Sequence, residues 1–217
     1  MPLQGTIQKA LPGLSGFDLN QPITANEAAA FKEAGHSFCV RYIPRTSALM
    51  TGNLSYEEAE VILASGLSLS AVQHVPLPNW MPTGALGAQY GAFAASYAKN
   101  TVGLPEGMVL WLDLESVSTA ATPEDVIGYC TEWFNAIQEA GYIGGLYVGW
   151  QPGLDGPQLY NLPFKHYWSA YNADFTPSPR GYQLIQHTQK TLNGIAFDPN
   201  VTQTDNNGDS VIWISPA

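Results

Sequence analysis

Apolar and polar positions along the chain form alternating blocks with two periods. Short runs of strand character (residues 16–20, 38–43, 67–75, 109–115 and 143–150) alternate with stretches where apolar positions recur every three or four residues. Start and stop signals frame those helical stretches. Thr24 with Glu27, and Ser55 with Glu58, read as capping boxes, and Gly35 and Gly66 close the helices they open. Residues 84–99 are Ala-rich, with Tyr90, Phe93 and Tyr97 at helical spacing. Thr122 as N-cap, Pro123 next, and Glu124 and Asp125 in the first turn open a helix that Gly141 ends. After Trp150 the rhythm changes. Strands over 167–171, 182–187 and 195–198 are separated by Pro-, Gly- and Asn-rich segments too short for full helices, and 211–214 is a last short strand. The pattern predicts an α/β fold: a TIM-like barrel of parallel strands, five β/α units followed by three strands with little helix. There is no internal repeat and no break in composition. Residues 1–217 therefore read as one domain, with a lead-in over 1–13.

The run Val109-Leu110-Trp111-Leu112-Asp113-Leu114-Glu115 is the most informative of the strands. Alternation puts Asp113 and Glu115 on one face, with Leu112 and Leu114 on the other. Their Cα atoms are then roughly 6.7 Å apart. Buried carboxylates must be paired or become neutral, and a protonated acid beside an ionised one is what glycosidic cleavage requires. In a parallel barrel the chemistry sits at the C-terminal ends of the strands. Asp18 ends the first strand, Asp113 and Glu115 the fourth, and Asp198 the eighth. Those four acids are the candidate catalytic cluster. Arg41, Gln73, Tyr147, Trp168, Tyr171 and Gln186 fall near the same ends and are the candidate substrate-binding positions. Arg41 reads first as the cation that keeps a carboxylate ionised, and Trp168 as a sugar-stacking wall. His74 and His187 read as packing or hydrogen-bonding residues.

Composition narrows the function classes. The net charge of −10, with only 8 Lys plus Arg, argues against nucleic acid and against anionic membranes. Cys39 and Cys130 lie in apolar patterns outside any metal-ligand spacing and read as buried free thiols. The acidic stretch from Asp205 to Asp209 lacks the spacing and closing Glu of an EF-hand, so a hairpin turn is the better reading. No Gly-x-Ser-x-Gly and no glycine-rich phosphate loop occurs. No metal and no cofactor is expected. No apolar run of about 18 residues is present, and the first residues do not form an ordinary signal peptide. The expectation is a monomer that does not insert in membranes. It either stays in the cell or leaves by lysis or a dedicated secretion machine.

Several segments resemble, in order, the strand motifs of glycoside hydrolase family 25, the lysozymes or muramidases that cut peptidoglycan. They are Gly16-Phe17-Asp18, Trp111-Leu112-Asp113-Leu114-Glu115, Gly145-Leu146-Tyr147, Tyr167-Trp168-Ser169-Ala170-Tyr171 and Phe197-Asp198-Pro199-Asn200-Val201. The whole chain is closer to a related glycoside-hydrolase-like group, domain of unknown function 1906. The resemblance implies Glu115 as general acid and Asp113 as the acid that stabilises or orients the reacting N-acetyl group. It implies Asp18 and Asp198 as further acids at the barrel mouth, and Tyr147 and Trp168 as wall positions. The third strand's Gln73-His74-Val75 and the seventh strand's Leu184-Ile185-Gln186-His187 depart from the muramidase pattern. The expected function is cleavage of β-1,4 bonds in peptidoglycan or a related N-acetyl-sugar glycan. The alternative is a non-catalytic glycan- or partner-binding module of the same fold.

Overall fold

The computed structural model describes residues 2–49 and 52–217. Its strands are β1 (Thr6–Lys9), β2 (Ser15–Leu19), β3 (Phe38–Ile43), β4 (Ser68–Gln73), β5 (Val109–Leu114), β6 (Ile143–Val148), β7 (His166–Ser169), β8 (Leu184–Gln186), β9 (Lys190–Leu192), β10 (Ile195–Thr202) and β11 (Ile212–Ser215). Helices α1 (Ala25–Glu33), α2 (Tyr56–Ala64), α3 (Gly84–Tyr97), α4 (Pro123–Glu139) and the short α5 (Gly156–Asn161) follow β2 to β6 in turn. β7 and β8 are followed by no helix among the described residues.

Pairing runs β2-β3-β4-β5-β6-β7-β8-β10 and back to β2, so eight strands close a barrel. Seven of them run parallel. The eighth, β10, is antiparallel to both its neighbours, which corrects the expectation of an all-parallel barrel. The reason is the connection. β8 returns through a hairpin made with β9, without the crossover that a parallel pairing needs. β1, expected as irregular lead-in, forms an edge strand on β11, and β11 attaches to the start of β4.

Strand alternation sorts the side chains into two cores. Phe38, Val40, Val72, Val109, Trp111, Tyr147, Trp168 and Leu184 fill the barrel, and Trp213 stacks on Phe38 at 4.7 Å to close its base. Cys39, Ile43, Leu69, Ala71, Leu110, Leu112, Leu114, Leu146 and Tyr167 point outward into the layer beneath the helices. Both cysteines are buried and free. α3 and α4 meet almost backbone to backbone: a Cβ on Gly87 would lie 2.1 Å from the Tyr129 carbonyl oxygen. Only glycine permits that approach.

The helix starts follow their caps. Thr24 and Glu27 bond reciprocally, as do Thr122 and Asp125. Ser55 accepts from the Glu58 N–H, but Glu58 does not return the bond. Its carboxylate turns inward and accepts from Arg41 Nε at 2.6 Å, Arg41 Nη2 at 3.2 Å and the Ile23 N–H at 3.0 Å. That ion pair is buried between the barrel wall and α2. Removing one partner leaves the other charge uncompensated. Glu58→Ala is therefore expected to lower the unfolding free energy by roughly 3–5 kcal/mol, read by urea denaturation. A loss within experimental error of zero would contradict this account of the pair.

Candidate active site

The mouth of the barrel is built from the upper ends of β2, β3, β5, β6, β8 and β10. β2 turns Asp18 inward, because Phe17 and Leu19 on either side face the outer core. β5 does the same for Asp113 between Leu112 and Leu114. Glu115 follows one residue past the strand end and is half-buried. β10 runs the opposite way, yet Asp198 stands directly opposite Asp18 in the ladder. The reversed strand thus delivers its acid to the same end. Tyr147 on β6 lies within electrostatic reach of all four carboxylates.

Two amides hold Asp18. Gln186 Nε2 donates to Oδ2 at 2.9 Å and Asn200 Nδ2 donates to the same oxygen at 2.6 Å. Tyr147 donates to Gln186 Oε1 at 2.9 Å, and Trp168 Nε1 donates to Asn200 Oδ1 at 2.8 Å. Burial outweighs these bonds and, with repulsion from Asp198, lifts the Asp18 carboxyl to about 7. Asp113 is sealed, and its Oδ1 has no hydrogen-bond partner. Burial, then repulsion from Glu115 and Asp18, drives it well above the ordinary carboxylate range. The Val75 N–H and the more distant Arg45 oppose this only in part. Glu115 and Asp198 are raised as well, by burial. A cleft of about 140 Å³ opens at the mouth, lined by Asp18, Asn20, Gln21, Tyr42, Gln189 and Asp198 among others.

Beyond Glu115 the barrel wall continues as a short extension. Asn79 N–H donates to the Ser116 carbonyl at 2.8 Å, and Ser116 N–H donates to the Trp150 carbonyl at 2.8 Å. Asn79, Ser116 and Gln151, side by side here, all have left-handed backbone (φ 65°, 53° and 52°). Such strain persists only where surrounding structure enforces it, and it gathers at functional sites. The extension carries Trp150 outward, 48% exposed, at the edge of the mouth. Gly149 beside it makes room for the acid: a Cβ there would lie 2.3 Å from Glu115 Oε2.

Three candidate binding residues lie elsewhere than expected. Arg41 is on the outward face of β3 with Cys39, locked to Glu58, so it cannot keep Asp113 ionised. The expectation that Arg41 keeps a carboxylate of the cluster ionised falls with it. Gln73 also points outward; it accepts from Trp133 Nε1 at 2.7 Å and donates to the Tyr90 carbonyl at 2.9 Å, joining β4 to α3 and α4. Trp168 is 0% exposed inside the barrel and offers no face to a sugar. Tyr147 and Gln186 are at the site, bonded to each other beneath it. Tyr171 lies past the end of β7 and is 60% exposed.

Sequence reasoning passed over several residues. Tyr42 shares the inward parity of Phe38 and Val40, and its ring lies 4.5 Å from that of His74. Asn200 is two residues from Asp198, hence on the same face. Arg45, in the loop after β3, carries no periodic signal. It donates to the Val75 carbonyl and lies 6.0 Å from the Tyr90 ring. Burial lowers His74 to about 4, so that it is neutral near pH 7. No group of three or more His, Cys, Asp or Glu that could hold a metal occurs among the described residues. Asp205 is buried rather than solvated. It accepts from Arg180 at 2.7 Å and from the N–H groups of Asn207 and Asp209, which shape the hairpin.

A closed barrel with four converging carboxylates and a bare last third defines a glycoside-hydrolase-like protein. The chain belongs to the family described as Rv2525c-like, glycoside hydrolase-like domain, whose profile matches residues 29–207. No curated protein matches its sequence. Solved structures share the fold at low identity. The Mycobacterium tuberculosis Tat-secreted protein Rv2525c, in complex with L-tartrate, is 15% identical, with TM-score 0.67 over 92% of this chain and 99% of that one. The Clostridium perfringens spore cortex lytic enzyme SleM is 14% identical, with TM-score 0.66 over 94% of this chain and 71% of that one. A family 25 glycosyl hydrolase from Bacillus anthracis is 14% identical, with TM-score 0.60 over 90% and 91%.

The raised carboxyls set the sign of the pH dependence. A carboxyl whose affinity for protons is higher folded than unfolded contributes stability that is complete below pH 4. That contribution is lost as pH rises through the folded value, about 7 for Asp18. The protein should be more stable at pH 4–5 than at pH 8. Asp18→Asn should reduce that difference by up to roughly 4 kcal/mol, at about 1.4 kcal/mol per tenfold change in proton affinity. Urea midpoints across this range measure it; identical slopes in wild type and variant would refute the assignment.

Proposed function

We propose that the protein hydrolyses a β-1,4 glycosidic bond next to an N-acetyl sugar, as in peptidoglycan, with Glu115 as general acid. One observation carries this reading. Glu115 is the partly exposed member of a carboxyl pair whose other member, Asp113, is sealed. Repulsion within such a pair favours a shared proton at neutral pH, and only Glu115 is in reach of a ligand. Glu115 protonates the leaving oxygen as its bond to the sugar's anomeric carbon breaks; water then adds at that carbon and its proton returns to the Glu115 carboxylate. Asp113, sealed behind Glu115, acts through it by raising its hold on that shared proton. Asp18 and Asp198 bind the sugar's polar edge in the cleft. The exposed Trp150 ring and Tyr171 supply apolar contact at the rim. The resemblance to family 25 and the SleM fold support a cell-wall glycan as substrate. The described residues contain no helix long and apolar enough to cross a membrane. The Tat-secreted relative supports work outside the cytoplasm, and the net charge of −10 speaks against a nucleic-acid partner.

A second reading has an observation of its own. Asp18 and Asp113 are almost sealed, which suits a module that binds glycan without cutting it. Release of reducing ends from purified peptidoglycan separates the two. Under the catalytic reading, Glu115→Gln lowers the release at least about 100-fold while binding to the insoluble glycan persists. Equal release by wild type and variant removes Glu115 as the acid. Binding with no release by the wild type leaves the binding module.

A further inference from the structure

We infer that Trp168 and Asn200, neither of which meets the cleft, are positioning residues that fix which oxygen of Asp18 faces the ligand. The chain of bonds is directional. An indole N–H can only donate, so the Asn200 atom that meets Trp168 Nε1 at 2.8 Å must be the carbonyl oxygen. That turns the Asn200 NH₂ the other way, where it donates to Asp18 Oδ2 at 2.6 Å and to the Asp198 carbonyl at 3.0 Å. All the polar capacity that Asn200 directs at Trp168, Asp18 and Asp198 is then used, and the amide cannot flip without setting an oxygen against a carboxylate. Gln186 brings a second donor to the same Oδ2 at 2.9 Å. An oxygen that accepts two N–H groups has no room for a proton of its own. A proton taken up by Asp18 therefore sits on Oδ1, the oxygen left to the cleft that Asp18 and Asp198 both line.

The surroundings give Asp18 a single direction of influence. Tyr42 and, behind it, Cys39 from β3, Asp113 from β5, Tyr147 from β6 and Asp198 from β10 are the titratable groups that act on it among the described residues, and none is a cation. His74, above β4, is neutral near pH 7. Arg41 is turned outward, and Arg45 acts on Asp113. The two amides are thus the groups that favour the Asp18 carboxylate, opposing a burial and a repulsion that outweigh them. Protonated, Asp18 donates from Oδ1 to a ligand carbonyl or hydroxyl. Ionised, it accepts from a hydroxyl or an amide. That a sugar is the ligand rests on the function proposed above; the orientation of Asp18 does not.

Side-chain carboxyl ¹³C NMR on the full chain, without any glycan, tests the inference apart from that function. In the wild type Asp18 titrates near pH 7. In Asn200→Ala its midpoint rises by roughly one pH unit, because a donor to the charged form is gone. In Trp168→Phe, where the residue touching Asp18 is unchanged, the midpoint rises in the same direction. Unchanged midpoints in both folded variants would overturn the inference. Should the variants fail to fold, the wild type alone decides. The Trp168 indole N–H and the Asn200 NH₂ resonances follow the Asp18 midpoint if the three are linked, and a pH-invariant pair of signals would equally overturn it.

Discussion

The structure turns on four carboxyl groups brought together at one barrel mouth, none of them in an ion pair among the described residues. The ion pairs that neutralise buried acids lie elsewhere. Glu58 is paired with Arg41 outside the barrel wall, and Asp205 with Arg180 beneath the β7–β8 connection. At the mouth Arg45 lowers Asp113, but burial and two neighbouring acids outweigh it. Burial and like charge therefore act in concert, and the cluster answers by holding protons. A site that holds protons on carboxyls at neutral pH is equipped for acid catalysis.

What replaces cations is a scaffold of amides and aromatic donors. Tyr147 through Gln186, and Trp168 through Asn200, converge on one oxygen of Asp18. The aromatic rings that give these chains their direction are themselves packed in the barrel: Tyr147 on Trp168 at 4.6 Å and Trp168 on Trp111 at 5.8 Å. Core packing and site geometry are the same contacts here. The strained extension past Glu115 plays the complementary part, setting the acid between the glycine at 149 and the exposed Trp150.

Much of this was legible in the sequence because alternation is a strict rule. The period of two in Val109–Leu114 put Asp113 inward without any tertiary information, and the same parity held for Asp18. The β/α rhythm followed by bare strands located the barrel. The same parity was available for Arg41 and Gln73 and pointed the other way: Arg41 shares its face with Cys39, which lies in the outer core. Closeness to a strand end points toward the mouth only when parity agrees, and for these two it does not. Trp168 has the right parity but sits one layer too deep, and depth within a barrel has no sequence period. The reversal of β10 was hidden because the turn after β8 is short and polar in either topology. Arg45 lies in a loop, where position follows from packing alone.

The central claim is that the mouth carries protonated carboxyl groups near neutral pH. Infrared difference spectroscopy of the wild type at pH 7 against Asp113→Asn measures it directly through the carbonyl stretch of a protonated carboxylic acid. The account predicts such a band in the wild type, at a frequency typical of an acid with a weakly bonded carbonyl, and a weaker one in the variant, where Asp18 still contributes. A wild-type spectrum at pH 7 with carboxylate bands alone would contradict it.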